Sequence, residues 1–171
     1  MLYLLDANVL IDAHRDYYPH DRVPEYWEWL VHHGDNGNAK IALEVYEEIT
    51  EKNKKKEDKD ALSLWAESTE VEAALLLGEA VDIDLVRQVT TQGYASDLRD
   101  DEVDKIGRDP FLIAYAMADP DDRCVVTTEV RKPSKTRANR RVPDVCDSMG
   151  VQVCNTFEFV RALDFSTKWM K

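Results

Sequence analysis

The sequence predicts an α/β fold in which a central parallel sheet lies between two layers of helices, a three-layer α/β/α arrangement with a helical insertion. Short apolar runs alternate with segments of helical periodicity, which is typical of parallel strands joined by crossover helices. The runs are apolar throughout, as expected of strands buried on both faces. The 171 residues, 44% of them hydrophobic, suffice for the core of one domain. We expect residues 1–171 to form a single domain, with 61–108 as helical insertion and connector.

Four runs are expected to supply the strands of this sheet. They are residues 2–5, 40–42, 124–127 and 151–154. A helix is expected to begin near Asn8, directly after the first strand. Pro24 suits the first turn of a second helix over residues 25–33, which Gly34 would end. A third helix is expected over residues 43–54, continuing into the charged stretch 51–60 as a solvated end or loop.

The second half of the chain is expected to be mostly helical. Residues 61–92 have apolar side chains at helical spacing. These are Leu62, Trp65, Val71, Leu75 and Leu76. Residues 93–108 read as a polar connector with one short helix. Asp109 as N-cap and Pro110 in the first turn predict an apolar helix ending at Ala118, and residues 155–163 a final amphipathic helix.

The charge distribution limits the kinds of nucleic-acid binding to consider. A net charge of −12 is unlike that of a general DNA or RNA binder, which presents a basic face. Residues 131–141, the basic segment, hold six Lys or Arg and no acid, so the rest of the chain stands at −18. Two interpretations are open: a solvated, mobile loop, or a contact to substrate phosphates beside an acidic site. The side chains concerned are Arg131, Lys132, Lys135, Arg137, Arg140 and Arg141.

Other features indicate an intracellular protein without a membrane segment. The sequence has no apolar run of about 18 residues and no signal-peptide pattern, so we expect a soluble, cytoplasmic protein. Its three cysteines form no CxxC pair and are expected to be reduced, buried thiols. The four histidines lack zinc-ligand spacing.

Several acids fall where a parallel sheet places its ligands. Asp6 ends the first strand, Glu129 follows the strand at 124–127, and Asp109 opens a late helix. Ligands of open α/β sheets bind outside the carboxyl ends of the strands. Each acid also has an ordinary explanation, since Asp6 and Asp109 are good helix caps and an isolated Glu can be a surface charge.

Helical geometry distinguishes the glutamates of the third helix. At about 100° per residue, Val45 and Ile49 share a buried stripe with Ile41. Glu48 lies about 60° from that stripe, at the rim of the core, whereas Glu47 lies nearly opposite and is expected to face water. Glu48 is therefore the glutamate expected to reach the carboxyl edge of the sheet.

Converging carboxylates repel one another unless a divalent cation neutralises them. Mg²⁺ or Mn²⁺ with oxygen ligands suits a phosphate-bearing substrate, since Mg²⁺ binds few carboxylates and retains waters. The chemistry that such a site supports is metal-assisted hydrolysis.

The order of these motifs resembles that of the PIN-domain ribonucleases, including the VapC-type toxins. The resemblance is carried by Leu5-Asp6-Ala7-Asn8, by Glu48 before an aliphatic residue, by the Asp109 helix, and by Val126-Thr127-Thr128-Glu129. The segment 141–146 is more similar to an uncharacterised PIN-like branch. The resemblance spans most of the chain and is weakest over residues 55–105.

The resemblance implies roles for particular residues. Asp6, Glu48 and Asp109 would bind the metal, Glu129 would be a fourth acid, and Asn8 and Thr127 would orient the metal ligands. Asp144 is an alternative fourth acid or a surface acid near a turn. The catalytic residues would then be the same four acids: Asp6, Glu48, Asp109 and Glu129.

The leading hypothesis is a metal-dependent endoribonuclease that cleaves RNA as the toxin of a toxin–antitoxin pair, with an antitoxin protein as partner. A catalytically inactive PIN-like scaffold that binds RNA or protein is the alternative. A phosphatase with Asp6 as nucleophile is disfavoured because Asn8 stands where its second acid is needed, and no GxGxxG supports a dinucleotide site. Trp27, Trp29 and Trp65 would either form a homodimer interface or pack in the core, and core packing is favoured.

Overall fold

The computed structural model describes residues 1–50 and 59–170. Its described part contains a four-stranded, fully parallel sheet in the order β2-β1-β3-β4. The strands are β1 (Leu2–Leu5), β2 (Ala39–Lys40), β3 (Arg123–Val126) and β4 (Gln152–Cys154). Helices flank this sheet, so the predicted α/β class is confirmed. The predicted bounds of β1 agree with the observed ones, and those of the other three strands differ by at most two residues at either end.

The described helices alternate with these strands. They are α1 (Ala7–Asp12), α2 (Pro24–Asp35), α3 (Leu43–Ile49), α4 (Ala61–Ala66), α5 (Thr69–Leu75), α6 (Ile83–Gln88), α7 (Asp100–Ile106), α8 (Asp109–Met117), α9 (Val142–Met149) and α10 (Thr156–Ala162). A π-helical segment, Ala13–Tyr17, follows α1, and another, Val89–Tyr94, follows α6. A short 3-10 turn, Arg137–Asn139, lies in the basic segment.

The two central strands fix the position of the site. In the register of β1 and β3, Leu5 lies opposite Val126, and both side chains are fully buried. Apolar burial on both faces explains why these strands carry no alternating polar residues. The residues that follow this pair, Asp6 and Thr127, therefore leave the same edge of the sheet side by side.

Gly34 does not end α2, which continues to Asp35. A Cβ on Gly34 would lie 2.6 Å from Leu75 Cδ2 and 2.8 Å from the Ala74 carbonyl oxygen. The absence of a Cβ at Gly34 therefore permits α2 to pack closely against α5, and this residue does not end the helix. The chain turns instead at Gly37, whose φ of +72° suits a residue without a Cβ.

The region predicted as one helical segment, residues 61–92, is interrupted. Leu76 lies outside α5 and pairs with Ile41 in an isolated parallel bridge. The Ile41 amide donates to the Leu75 carbonyl at 2.8 Å, and the Leu77 amide donates to the Ile41 carbonyl at 2.9 Å. The helical assignment of Leu76 was wrong because β2 offers an unpaired edge that captures this backbone.

Two further helix boundaries differ from the expectation. Helix α3 ends at Ile49, before the predicted end at residue 54, and residues 51–58 lie outside the described residues. Asp60, at the end of the charged stretch, caps α4 by accepting from the Ser63 amide at 2.8 Å. Asp109 is the first residue of α8 and Arg108 is its N-cap, one residue earlier than predicted.

The tryptophans and cysteines lie largely where core packing predicts them. Trp27 and Trp29 are buried, which confirms core packing for these two, whereas Trp65 is half-buried. Cys124 and Cys146 are buried free thiols, and Cys154 is a partly buried one. Within the described residues, no helix has the length and apolar character needed to cross a membrane.

Candidate active site

Asp6 is held at the carboxyl edge of the sheet by its neighbour on β3. The side chain is 7% exposed, and its Oδ2 accepts a hydrogen bond of 2.8 Å from the Thr127 hydroxyl. That hydroxyl oxygen in turn accepts from the Glu129 amide at 3.2 Å. Thr127 therefore orients Asp6 and also connects the chain at Glu129 to Asp6.

Asp109 is oriented by a tyrosine that the sequence analysis did not identify. The Tyr94 hydroxyl donates to Asp109 Oδ2 at 3.3 Å, and the Tyr94 side chain is buried. Tyr94 closes the π-helical segment Val89–Tyr94, where the wider backbone turn changes the direction of the following side chains. Its only sequence signal is an aromatic residue after Gly93 in a stretch read as a polar connector.

The pKa of Asp6 is affected both by burial and by the charges of other acids in this region. Burial, followed by the negative charges of Glu129 and Glu48, raises the pKa of Asp6 to about 6. The Thr127 hydroxyl and the Asn8 backbone amide oppose this pKa shift because they favour the ionised carboxylate. The pKa of Asp6 is therefore closer to neutral pH than that of an ordinary aspartate.

Asp109 experiences the same environment more strongly. Burial raises its pKa to about 7, followed by the charges of Asp6 and Glu129 and then that of Glu48, while the Tyr94 hydrogen bond lowers it. Desolvation and like charges both favour the protonated carboxyl. The structure thus brings together Asp6, Glu48, Asp109 and Glu129, which we call the acid cluster.

Glu129 differs from the two aspartates in having both carboxylate oxygens engaged. One oxygen accepts from the Arg141 guanidinium at 2.7 Å, and the other accepts from the Val142 amide at 2.8 Å, at the start of α9. The guanidinium and the helix N-terminus both favour negative charge here. Glu129 is therefore compensated within the fold before any cation arrives.

Glu47 and Glu48 of α3 do not have the environments predicted for them. Glu48 is exposed, although its charge reaches both Asp6 and Asp109. The expectation that Glu47 faces water was wrong, because its carboxylate lies 3.3 Å from the Arg108 guanidinium. Arg108 precedes α8 and also donates to the Glu44 carbonyl, so α3 and the start of α8 are joined at this point.

The other polar residues assigned from the sequence lie nearby with different contacts. Asn8 is exposed, and among the described residues its side chain has no hydrogen-bond partner; its backbone amide is the group that favours ionised Asp6. Asp144 is buried, and its Oδ2 accepts from the Lys132 amide at 2.7 Å. Asp144 therefore anchors the basic segment, and its role as a fourth acid stays a prediction.

Two arginines of the basic segment form ion pairs away from the acid cluster. The Arg131 guanidinium donates to both oxygens of Asp147, at 2.7 and 3.0 Å. The Arg137 guanidinium donates to Glu102 at 2.7 and 2.8 Å and to Asp97 at 2.7 Å. The pKa of Glu102 is lowered to about 2, first by its hydrogen bonds from Arg137.

The remaining cations of the segment divide into paired and unpaired groups. Arg140 donates to the Gly93 carbonyl and, at 2.7 Å, to the Asp144 carbonyl, while Arg141 pairs with Glu129. Among residues 1–50 and 59–170, no partner is found for the ammonium groups of Lys132 and Lys135. Substrate-phosphate contact stays a prediction for all six residues, and the two lysines are the ones whose charges are still available.

The described residues contain no group of three or more His, Cys, Asp or Glu side chains arranged to hold a metal ion. The donor set nevertheless fits Mg²⁺, which one or two carboxylates bind together with water and substrate phosphate. The negative charge of Asp6 raises the pKa of Asp109, and a bound cation would relieve that repulsion. The residues present fit a cation that completes its coordination with substrate.

Comparison with known proteins identifies the family of the chain. Comparison with curated proteins finds no match, and neither does comparison with solved structures. Residues 3–167 match the family described as a domain of unknown function, DUF4411. Because this match covers nearly the whole chain, including the acid cluster, the chain belongs to the DUF4411 family.

Proposed function

We propose that this protein is a metal-dependent endoribonuclease that hydrolyses RNA phosphodiester bonds with Mg²⁺ or Mn²⁺. The observation that carries the proposal is the pair of buried Asp6 and half-buried Asp109, whose pKa values are raised by desolvation and by nearby acids. Two such carboxylates reduce the free energy of unfolding when they are ionised, and groups with perturbed pKa values cluster at functional sites. Its place at the carboxyl edge of a parallel sheet is where ligands bind in this architecture.

Different residues of the chain would bind the cation and orient its ligands. Asp6 and Asp109 would hold the cation, with Glu48 able to approach from the solvent side and Glu129 adding negative charge. Thr127 and Tyr94 fix the orientation of the two aspartates through their hydroxyl groups. When bound, the cation would lower the pKa of a water and stabilise charge on the phosphate.

The biological setting of the proposal rests on the motif order alone. A toxin role implies an antitoxin protein as partner and a cytoplasmic location, and a homodimer is part of the same expectation. Of the three tryptophans considered for an interface, Trp27 and Trp29 are buried in the core and Trp65 is half-buried. These finer statements are tested separately from the chemistry.

The chemistry is tested by RNA cleavage with the purified chain in Mg²⁺ or Mn²⁺, compared with EDTA. The double variant Asp6→Asn, Asp109→Asn is expected to lose on the order of 100-fold or more in cleavage rate. The matched control is Asp104→Asn, the same change on an exposed residue of α7. Mn²⁺ should also raise the free energy of unfolding by about 2.7 kcal/mol at roughly 100 times its Kd, and the double variant should lose this gain.

An RNA- or protein-binding protein that does not cleave is the second candidate. The observation that favours it is the absence, within the described residues, of a side-chain group of three or more metal ligands. Absence of cleavage on any RNA, together with no stabilisation by Mn²⁺, would decide for this candidate. Cleavage that persists in the double variant would show that the nuclease proposal has the wrong residues.

A further inference from the structure

A cleft of about 560 Å³ opens directly beside the acid cluster. It shares Glu129 with that cluster and is also lined by Thr127 and by Phe157, at the start of α10. Asp12 and Tyr17, from α1 and the π-helical segment that follows it, line the cleft as well. A strand of substrate whose phosphate lies at the acid cluster would therefore place a neighbouring group in this cleft.

Two exposed aromatic rings stand together on the rim of the cleft. Tyr17 is 53% exposed and Phe157 is 52% exposed, and they are the aromatic members of the exposed large hydrophobic residues in the described part of the chain. Their ring centroids are 5.9 Å apart with planes at 82°. This edge-to-face arrangement leaves ring faces open to a further planar group.

The charged side chains of the cleft already have donors within the fold. Asp12 accepts from the Arg15 guanidinium at 2.8 Å, and Glu158 accepts from the Asn155 amide at 2.8 Å. Glu129 is compensated at the start of α9 as described above. Arg131 also lines the cleft, and its guanidinium is held by Asp147. A cleft of this composition suits a neutral, planar ligand better than a phosphate group.

Two polar side chains that line the cleft remain available to such a ligand. The Asn155 carboxamide oxygen accepts from the Glu158 amide at 2.9 Å, whereas its Nδ2 has no partner among the residues that the structure describes. Thr128 contributes a hydroxyl to the same wall, and within the described chain it too has no partner. These groups can meet the hydrogen-bonding edge of a base while the rings contact its face.

We infer that this cleft binds an unpaired nucleobase of an RNA strand, stacked against Tyr17 and Phe157, next to the phosphate at the acid cluster. The inference rests on the proposed function for its choice of RNA. Base stacking on aromatic side chains is tolerant of sequence because every base has a π-face. The substrate class is accordingly single-stranded RNA, since bases within a duplex cannot enter the cleft.

The test is binding of fluorescently labelled single-stranded RNA decamers, oligo-A and oligo-U, measured by fluorescence anisotropy. The Asp6→Asn, Asp109→Asn background removes cleavage and two negative charges. In it, Tyr17→Ala and Phe157→Ala are each expected to weaken binding roughly five- to hundredfold. Phe157→Tyr, which keeps a ring, should bind like the parent. Ile83→Ala, an exposed apolar residue of α6 outside the cleft, is the matched control.

The outcomes separate this inference from the nuclease proposal. Binding that depends on the two rings, in a protein whose wild type cuts no RNA, keeps the base site and rejects the nuclease. Metal-dependent cleavage with decamer binding unchanged in both alanine variants keeps the nuclease and overturns the base site. Equal binding of the decamer and its duplex, or no decamer binding at all, also overturns the base site. Loss in Phe157→Tyr equal to that in Phe157→Ala would show damage to packing and count against stacking.

Discussion

The acid cluster and the basic segment differ in how far neighbouring residues compensate their charges. In the acid cluster, the pKa values of Asp6 and Asp109 are raised to about 6 and about 7 because burial and like charges oppose ionisation. In the basic segment, arginine partners lower the pKa of Glu102 to about 2 and also lower that of Asp147. The arginines of the basic segment are held by partners within the fold, whereas no described residue supplies a counter-charge to the two aspartates.

Glu129 lies at the boundary between these two regions. Its carboxylate adds repulsion to Asp6 and Asp109, while Arg141 and the Val142 amide compensate it. The basic segment therefore contacts the acid cluster through Glu129, and among the described residues neither Asp6 nor Asp109 pairs with an arginine. That arrangement indicates that neutralisation of the aspartates is left to a ligand.

The largest predicted stability effect is a gain from removing an acid of the cluster. We expect Asp109→Asn, without added metal and at about pH 8, to raise the free energy of unfolding by roughly 1–3 kcal/mol. The wild-type carboxyl has a folded pKa of about 7, above its unfolded value, so the unfolded state ionises first. Stability from this group therefore falls as the pH rises from about 4 to about 7. Urea unfolding across this pH range measures the effect.

Its control uses the same substitution away from the cluster. Asp104→Asn, on the exposed face of α7, should change the free energy of unfolding by less than about 0.5 kcal/mol at every pH. The gain in Asp109→Asn should disappear below about pH 3, where the wild-type carboxyl is protonated in both states. A variant less stable than wild type at pH 8 would contradict the view that this carboxylate is held against its preference.

A smaller effect of opposite sign is predicted for the basic segment. Glu102→Gln removes a carboxylate that accepts from Arg137 twice, at 2.7 and 2.8 Å, and from the Arg99 amide at 3.1 Å. The variant should be less stable than wild type at neutral pH. Because the folded pKa of Glu102 is lowered to about 2, its contribution is present above about pH 4.5 and is lost as the pH falls towards 2.

The same urea titrations measure this second effect, with Glu70→Gln as control on an exposed residue of α5. The difference between wild type and Glu102→Gln should shrink below pH 4.5, while that for Asp109→Asn grows above it. Parallel pH profiles for the two variants would mean that the acid cluster and the basic segment do not differ in charge compensation.

The sequence predicted the parts of this comparison that depend on strand ends. Asp6 and Thr127 each follow a run of buried residues, and β1 and β3 are neighbours, so their contact could be anticipated from the alternation of strands and helices. Glu48 could be chosen over Glu47 as an acid near the cluster by helical period, although its exposure could not. Local periodicity is sufficient wherever a residue's environment is set by its own element.

Contacts between distant segments were not predictable in this way. Tyr94 meets Asp109 because a π-helical turn redirects it, and no periodic pattern marks that turn. The pairing of Arg137 with Glu102 joins residues 35 positions apart through a loop whose path depends on tertiary packing. The assignment of six phosphate-binding cations rested on composition, which counts charges but does not indicate which of them have partners.

The smallest predicted effect sharpens the comparison inside the basic segment. Lys132→Ala and Lys135→Ala should each reduce the slope of log affinity for single-stranded RNA against log salt by about 0.7, as expected for one lost phosphate contact. Their ammonium groups have no partner in the described part of the chain, so folding stability should change little. Arg137→Ala should do the reverse, lowering stability and leaving the slope unchanged, because its guanidinium is held by Glu102 and Asp97. Anisotropy titrations between about 50 and 200 mM salt measure the slopes. An unchanged slope in both lysine variants would remove the basic segment from RNA binding and leave it a purely structural element.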